Sequence, residues 1–281
     1  MTFVHLPDRA AVRVGGPEAA HFLQGLITAD IERVTETGAG YGALLSPQGK
    51  ILFDFLVFKD GDDFLLDTLA EAAAALAKRL TFYKLRAKVT VEDLSESHAV
   101  VAGWGEPMPA DGPFAIDPRL AELGWRGVVP KEAAGKSDAA LWNSHRIALT
   151  VPEAGQDYAY GEVFPHDIDM DQLSGVVFDK GCYVGQEVVS RMQHRGTARR
   201  RIVAATADAA LPAAGTEIAA DGKAIGTLGS SDGGQGLALV RIDRAKAAMD
   251  RGAAIEADGV AITLSLPSWA KFEWPSDEAP E

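Results

Sequence analysis

Cysteine is nearly absent from this sequence: Cys182 is the single one among 281 residues. A disulfide framework within the chain is therefore excluded, as is a closed zinc site built from cysteines. An iron–sulfur cluster touching Cys182 must take its other ligands from a partner or a small molecule, so no stably bound metal is expected. Long apolar runs are missing too, and no stretch approaches the length of a membrane span. The opening Met1-Thr-Phe-Val-His-Leu-Pro7 has neither the basic start nor the apolar core of a secretory signal, so a cytoplasmic protein without a membrane partner is the expectation. Positive charge is scarce, with 27 Lys and Arg against 40 Asp and Glu and a formal charge of −13. That balance argues against nucleic acid as a partner, because phosphate binding draws on clustered cations.

What is present fits a soluble globular chain: 47% apolar and 24% charged residues, with length for two or three compact units. Ala11-Val-Arg-Val14 reads as a strand, and Gly16-Pro17-Glu18 marks a helix start whose apolar face is Leu23, Leu26 and Ile27. Tyr41–Leu45 reads as a strand, Ser46-Pro-Gln-Gly49 as a turn, and Ile51–Phe58 with Phe64–Asp67 as a hairpin closed by Asp60-Gly-Asp. Thr68 and Glu71 have the spacing of a capping box before an alanine-rich helix over 71–80. Strands at 88–92 and 99–102 complete a ββαββ pattern compatible with a ferredoxin-like α+β unit. Beyond Arg201, short β runs punctuated by Asp221-Gly222, Asp232-Gly-Gly234 and Asp258-Gly259 have the rhythm of a small antiparallel barrel, with one helix near 243–249.

The stretch Asp179-Lys-Gly-Cys-Tyr-Val-Gly-Gln-Glu-Val-Val-Ser-Arg191 sets Cys182 between two glycines, ahead of a helical stripe of Val184, Val188 and Met192. A sulfur near a helix start and beside Lys180 is suited to act as nucleophile, redox thiol or metal ligand. Taken alone, a lone cysteine reads rather as a small buried hydrophobe. The motif Lys180-Gly-Cys-Tyr-Val-Gly-Gln-Glu187 with Arg191, however, resembles the signature of the YgfZ family, folate-binding relatives of the glycine cleavage T-protein that assist iron–sulfur cluster maturation. Phe22–Asp30, Ser46–Phe55, Leu80–Arg86 and Arg191–Arg199 resemble family segments in the family's order.

The resemblance implies a three-domain α+β chain of T-protein type. A first domain, 1–48, is completed by 137–198 with the cysteine motif. A ferredoxin-like domain spans 49–136, a C-terminal antiparallel β-barrel 199–275, and an acidic tail 276–281. It also implies a tetrahydrofolate or a derivative as ligand, and iron–sulfur carrier or client proteins as partners. Cys182 and Lys180 are then the reacting pair, with Cys182 a transient iron ligand, framed by Gly181, Tyr183, Gly185, Gln186, Glu187 and Arg191.

A pterin ring offers adjacent N–H donors, so its pocket needs a sheltered acid near an aromatic wall. Asp54 is the first candidate, with Arg146, Tyr160 and Glu162, and beside them Glu153 and Tyr158, from the folate-facing segment. The T-protein carries paired acids where this chain has Phe53-Asp54, so aminomethyl transfer is the alternative activity, and an RNA-binding module the third. Thr150 stands where the related segment usually has glycine. Arg191, Arg195 and Arg199–Arg201 with His194 form a basic cluster open to two readings, an anion site or arginines paired with nearby acids. His166 with Asp167, Asp169 and Asp171 lacks calcium-loop spacing and reads as a solvated turn.

Overall fold

The computed structural model describes residues 3–135, 138–196 and 198–275; the acidic tail expected at 276–281 lies outside them. Two compact units emerge: residues 1–142 with 173–190, and residues 143–172 with 191–281. In the first, β1 (Phe3–Leu6) and β2 (Arg9–Gly15) precede α1 (Ala19–Gln24) and α2 (Ile31–Thr37). Then come β3 (Ala39–Leu45), β4 (Ile51–Asp60), β5 (Asp63–Leu69), α3 (Ala70–Tyr83), β6 (Thr90–Asp93), β7 (His98–Gly103), β8 (Phe114–Ile116) and β9 (Trp125–Pro130). Helix α4 (Ala139–Ala148) and, after a long irregular stretch, α5 (Gln186–Arg195) both run across the division between the units.

The first unit holds a five-stranded antiparallel sheet in the order β3-β4-β5-β2-β6 and a four-stranded one in the order β1-β7-β9-β8. The sheet runs through residue 48, where a domain boundary was expected, because β3 and β4 are hydrogen-bonded neighbours on either side of the Ser46–Gly49 turn. The ββαββ elements are where the sequence places them, yet β7 pairs with β1 and β9 rather than joining β4 to β6. Period-2 patterning marks a strand but does not name its neighbour.

The capping box expected at Thr68 and Glu71 does not form. Strand β5 continues to Leu69, and the buried Thr68 hydroxyl donates instead to the carbonyl of Asp54, 2.9 Å away. Helix α2 follows the local rules: Asp30 caps it by accepting from Glu32 N–H at 3.0 Å, and Gly38 ends it in the left-handed conformation.

The second unit carries a seven-stranded antiparallel sheet built from β10 (Arg200–Thr206), β11 (Glu217–Ala220), β12 (Lys223–Asp232), β13 (Gln235–Arg241), β14 (Ile255–Ala257), β15 (Val260–Ala261) and β16 (Thr263–Ser265), with α6 (Ile242–Asp250) between β13 and β14. Ala220 pairs with Lys223 and Ala257 with Val260, so Asp221-Gly222 and Asp258-Gly259 are two-residue hairpin loops. All four residues have positive φ, the conformation that matches such turns to strand twist. Ile218, Leu228, Ala238, Val240, Ala245 and Ala257 meet in its core.

A cluster of charge lies inside the first unit. Asp67 accepts from Arg9 Nε at 2.7 Å and from Arg126 Nη1 at 3.0 Å, and Arg126 stacks on Trp142 at 4.6 Å. Asp117 holds Arg119 in a fork at 3.0 and 2.8 Å. Burial pushes the Asp117 carboxyl up, but the attraction and hydrogen bonds of Arg119, with Arg126 behind, bring it below the usual range. Asp67→Asn is expected to cost about 3–5 kcal/mol by leaving two buried guanidinium groups short of counter-charge; a urea-unfolding midpoint equal to that of the native chain would contradict this.

Candidate functional site

The cysteine loop is pinned at its flanks and exposed at its tip. The Lys180 ammonium, sheltered from water, donates to the carbonyl of Ile27 at 2.8 Å and to that of Ala29, and sits 5.6 Å from the ring centre of Tyr183. Thr28, between those carbonyls, is fully buried: its hydroxyl donates to Gly175 O at 2.6 Å and accepts from Ala43 N–H at 2.8 Å. Val177 N–H in turn reaches Thr28 O at 3.1 Å. Tyr183 is buried as well, and burial pushes its phenol up to about 12. Gly181 and Cys182, between the two anchors, are exposed.

This geometry corrects the local reading. Lys180 is committed to backbone carbonyls and the Tyr183 ring, so it braces the loop instead of serving as the sulfur's cation. Burial draws its ammonium down to about 8, against the nearby Asp30 carboxylate, which favours the charge. Cys182 lies four residues ahead of Gln186, the first residue of α5, in irregular backbone. The expected stripe of Val184, Val188 and Met192 is only half-buried; the fully buried residue of α5 is Val189.

The two glycines also differ. Gly185 has φ +81°, and a Cβ there would lie 2.6 Å from Ser46 O. Gly49 of the same turn packs on Val188, so the Ser46–Lys50 and Lys180–Glu187 segments form one joint. Gly181 has no neighbour within 4 Å of such a Cβ. Gln186 is half-buried and Glu187 exposed, while Arg191 is an exposed residue of α5 belonging to the other compact unit.

Asp54, in β4 of the first unit, is buried and not on a wet face; its carboxylate accepts from the Tyr41 hydroxyl at 3.1 Å. The Arg119 guanidinium lies 5.9 Å from the Tyr41 ring centre. The sequence reading missed Tyr41, Asp67, Asp117, Arg119 and Arg126. The signal available was Asp67 ending the apolar run Phe64-Leu-Leu66.

Arg146, Tyr160 and Glu162 fall in the second unit. Arg146 is fully buried, and its donors meet Asn143 Oδ1, Val151 O, Asp157 Oδ2, Gln156 Oε1 and Ser230 Oγ at 2.6–3.2 Å. Five N–H groups meeting five acceptors make it a brace for its own unit, with no donor over for a folate. Tyr160 is half-buried, and Glu162 is exposed with its carbonyl accepting from Arg200. Thr150 has φ +55°, which accounts for glycine in related segments.

His166 and its acids are not solvated. Arg201 reaches Asp169 at 3.1 Å and grips both oxygens of Asp171, and Arg200 reaches Asp167 at 2.6 Å. For these two arginines the ion-pair reading holds. Burial lowers His166, against the charge of Asp171, and holds Asp169 well above the carboxylate range despite Arg201. Among the described residues no three His, Cys, Asp or Glu side chains are grouped to hold a metal ion.

Residues 8–107 match the GCVT N-terminal domain, and residues 199–272 match the CAF17 C-terminal beta-barrel domain. Over 314 residues the chain is 32% identical to the mouse protein named iron-sulfur cluster assembly factor IBA57, mitochondrial, covering 98% of this chain and 86% of that one. The human protein of that name is 32% identical over 306 residues, covering 96% and 85%. The chain belongs to the CAF17/IBA57 family. Its fold is that of the glycine cleavage aminomethyltransferase T of Bartonella henselae, with a TM-score of 0.73 at 17% identity over 97% of this chain and 87% of that one. The family named is IBA57, not YgfZ. These relatives are mitochondrial by name, which overturns the cytoplasmic expectation; that expectation rested on the missing apolar run and the look of the first residues.

The joint generates a paired test. Gly185→Ala is expected to cost about 2 kcal/mol or more through left-handed strain and the contact with Ser46 O. Gly181→Ala should stay within about 0.5 kcal/mol of the native chain. Equal melting temperatures for the two variants would refute the joint.

Proposed function

We propose that this chain acts in iron–sulfur cluster assembly, with the Cys182 thiol as the group that meets iron or a cluster intermediate. The observation that carries the reading is the loop itself: Lys180 and Tyr183 are held inward, and between them the thiol of Cys182 is exposed. Its support beyond the geometry is the family, whose mouse and human members are named assembly factors for such clusters. Ligation forms a sulfur–iron bond as the thiol proton leaves to solvent. One thiol is one ligand, so the remaining ligands come from a carrier or client protein. The rigid joint at Gly185 fixes where that sulfur is presented.

The folate part of the proposal rests on the YgfZ-like motif and on Asp54. The residues present fit the pterin end: a buried carboxylate, with about four lone-pair sites in principle, beside the phenol of Tyr41. Arg146 does not fit, because its donors are spent within its unit. A reduced folate supplies a one-carbon carrier that is readily oxidised. Asp54 orients it, and the Thr68 hydroxyl on the Asp54 carbonyl fixes the strand that presents the acid.

In cells lacking the native protein, Cys182→Ala should fail to restore a four-iron enzyme while accumulating normally. Full rescue would reduce Cys182 to a structural residue. Calorimetry should show one tetrahydrofolate site, weakened at least about tenfold in Asp54→Asn. Unchanged affinity in that variant would remove Asp54 from the site, and no binding by the native chain would remove folate while leaving the cysteine reading standing.

A further inference from the structure

The end of α3 and the turn after it have no part in the cysteine loop or the Asp54 cluster. Residues 72–91 contain five cations, Lys78, Arg79, Lys84, Arg86 and Lys88, and no acid, in a chain of net charge −13. None of the five forms an ion pair among the described residues; the Lys84 ammonium donates to Val89 O at 3.2 Å. Two large apolar side chains stand among them in water, Phe82 at 73% exposure and Leu85 at 86%.

Leu85 follows Lys84, the C-cap of α3, with φ +44°, in the place where glycine usually ends a helix. A leucine there strains the backbone and gains no burial, a conflict expected where a side chain serves something outside the fold. Beside it opens a groove of about 370 Å³, its walls including Phe22, Leu26, Tyr83 and Leu85, with Lys84, Arg86 and, at one side, the acid Glu18.

We propose that this surface docks an acidic segment of a partner protein that inserts an apolar side chain into the groove. Charge complementarity names the sign of the partner, since the five cations form no ion pair among the described residues and the groove's acid, Glu18, is engaged with the Lys88 backbone N–H at 3.0 Å. The groove and the two exposed apolar side chains supply the contact core. A negatively charged membrane meets the field of the whole −13 chain, whereas a narrow segment meets the patch alone, and a bilayer has no use for a groove. RNA leaves Phe82 and Leu85 without a bases-in-pocket geometry to fill and is opposed by the same net charge. The inference does not depend on what Cys182 or Asp54 does.

The test uses the full chain and a short helical peptide with leucines at i, i+3, i+4 and i+7 and glutamates elsewhere, followed by fluorescence anisotropy. The acidic peptide should bind, its lysine-for-glutamate counterpart should not, and added salt should weaken binding. Phe82→Ser with Leu85→Ser, and separately Arg86→Glu, should each weaken it at least about tenfold with unchanged melting temperature, because all three side chains are exposed. Leu85→Gly should weaken binding while raising the melting temperature. Three controls run alongside: vesicles of phosphatidylcholine with phosphatidylglycerol, poly(U) RNA, and sedimentation of the chain alone. Peptide binding indifferent to the variants overturns the proposal, as does binding of vesicles or RNA in place of the peptide. Absence of binding to every probe, or self-association abolished by the variants, overturns it equally.

Discussion

Everything proposed for Cys182 depends on a buried ammonium. Lys180 gives up water to donate to the carbonyls of Ile27 and Ala29, and Thr28 between them ties the irregular segment at Gly175 and Val177 to β3. A cation in such a place is weakly hydrated, and its ordinary affinity for a proton falls. The gain is positional: with Lys180 and Tyr183 both drawn inward, the two residues between them, Gly181 and Cys182, are turned out. A thiol displayed on a flexible tip would sample many positions; this one is carried by a joint closed by Gly185 against Ser46.

Both compact units use arginine as an internal fastener. In the first, Arg9 and Arg126 converge on Asp67 while Arg119 is forked by Asp117. In the second, Arg146 gathers α4, the 151–157 loop and Ser230 of β12, and Arg201 gathers Asp169 and Asp171. A planar group with five fixed donors can join several chain segments at one point, which an apolar side chain cannot do with comparable direction.

The likeness to an aminomethyltransferase is one of fold, and activity is decided by side chains grafted on it. Here a phenylalanine, Phe53, precedes Asp54, and the acid that remains is already engaged with Tyr41. The relatives that share a third of the sequence are named for cluster assembly, not for one-carbon transfer.

Local chemistry was legible from residues alone. Asp-Gly pairs announced the barrel's hairpins and the alanine-rich run announced α3, because turns and strong helix formers answer to one or two residues at a time. The cysteine motif could be picked out as a candidate for the same reason: its glycines and lone thiol are adjacent in the chain. Partnerships across long separations were not legible. That β7 leaves β4–β6 for β1, that Thr68 serves Asp54 instead of capping α3, and that Lys180 points to Ile27 rather than to its neighbour Cys182 follow from register and packing between distant segments. Arg146 shows the limit most plainly. An arginine in sequence is five donors without addresses, and only folding supplied the five acceptors that turned an expected ligand contact into a brace.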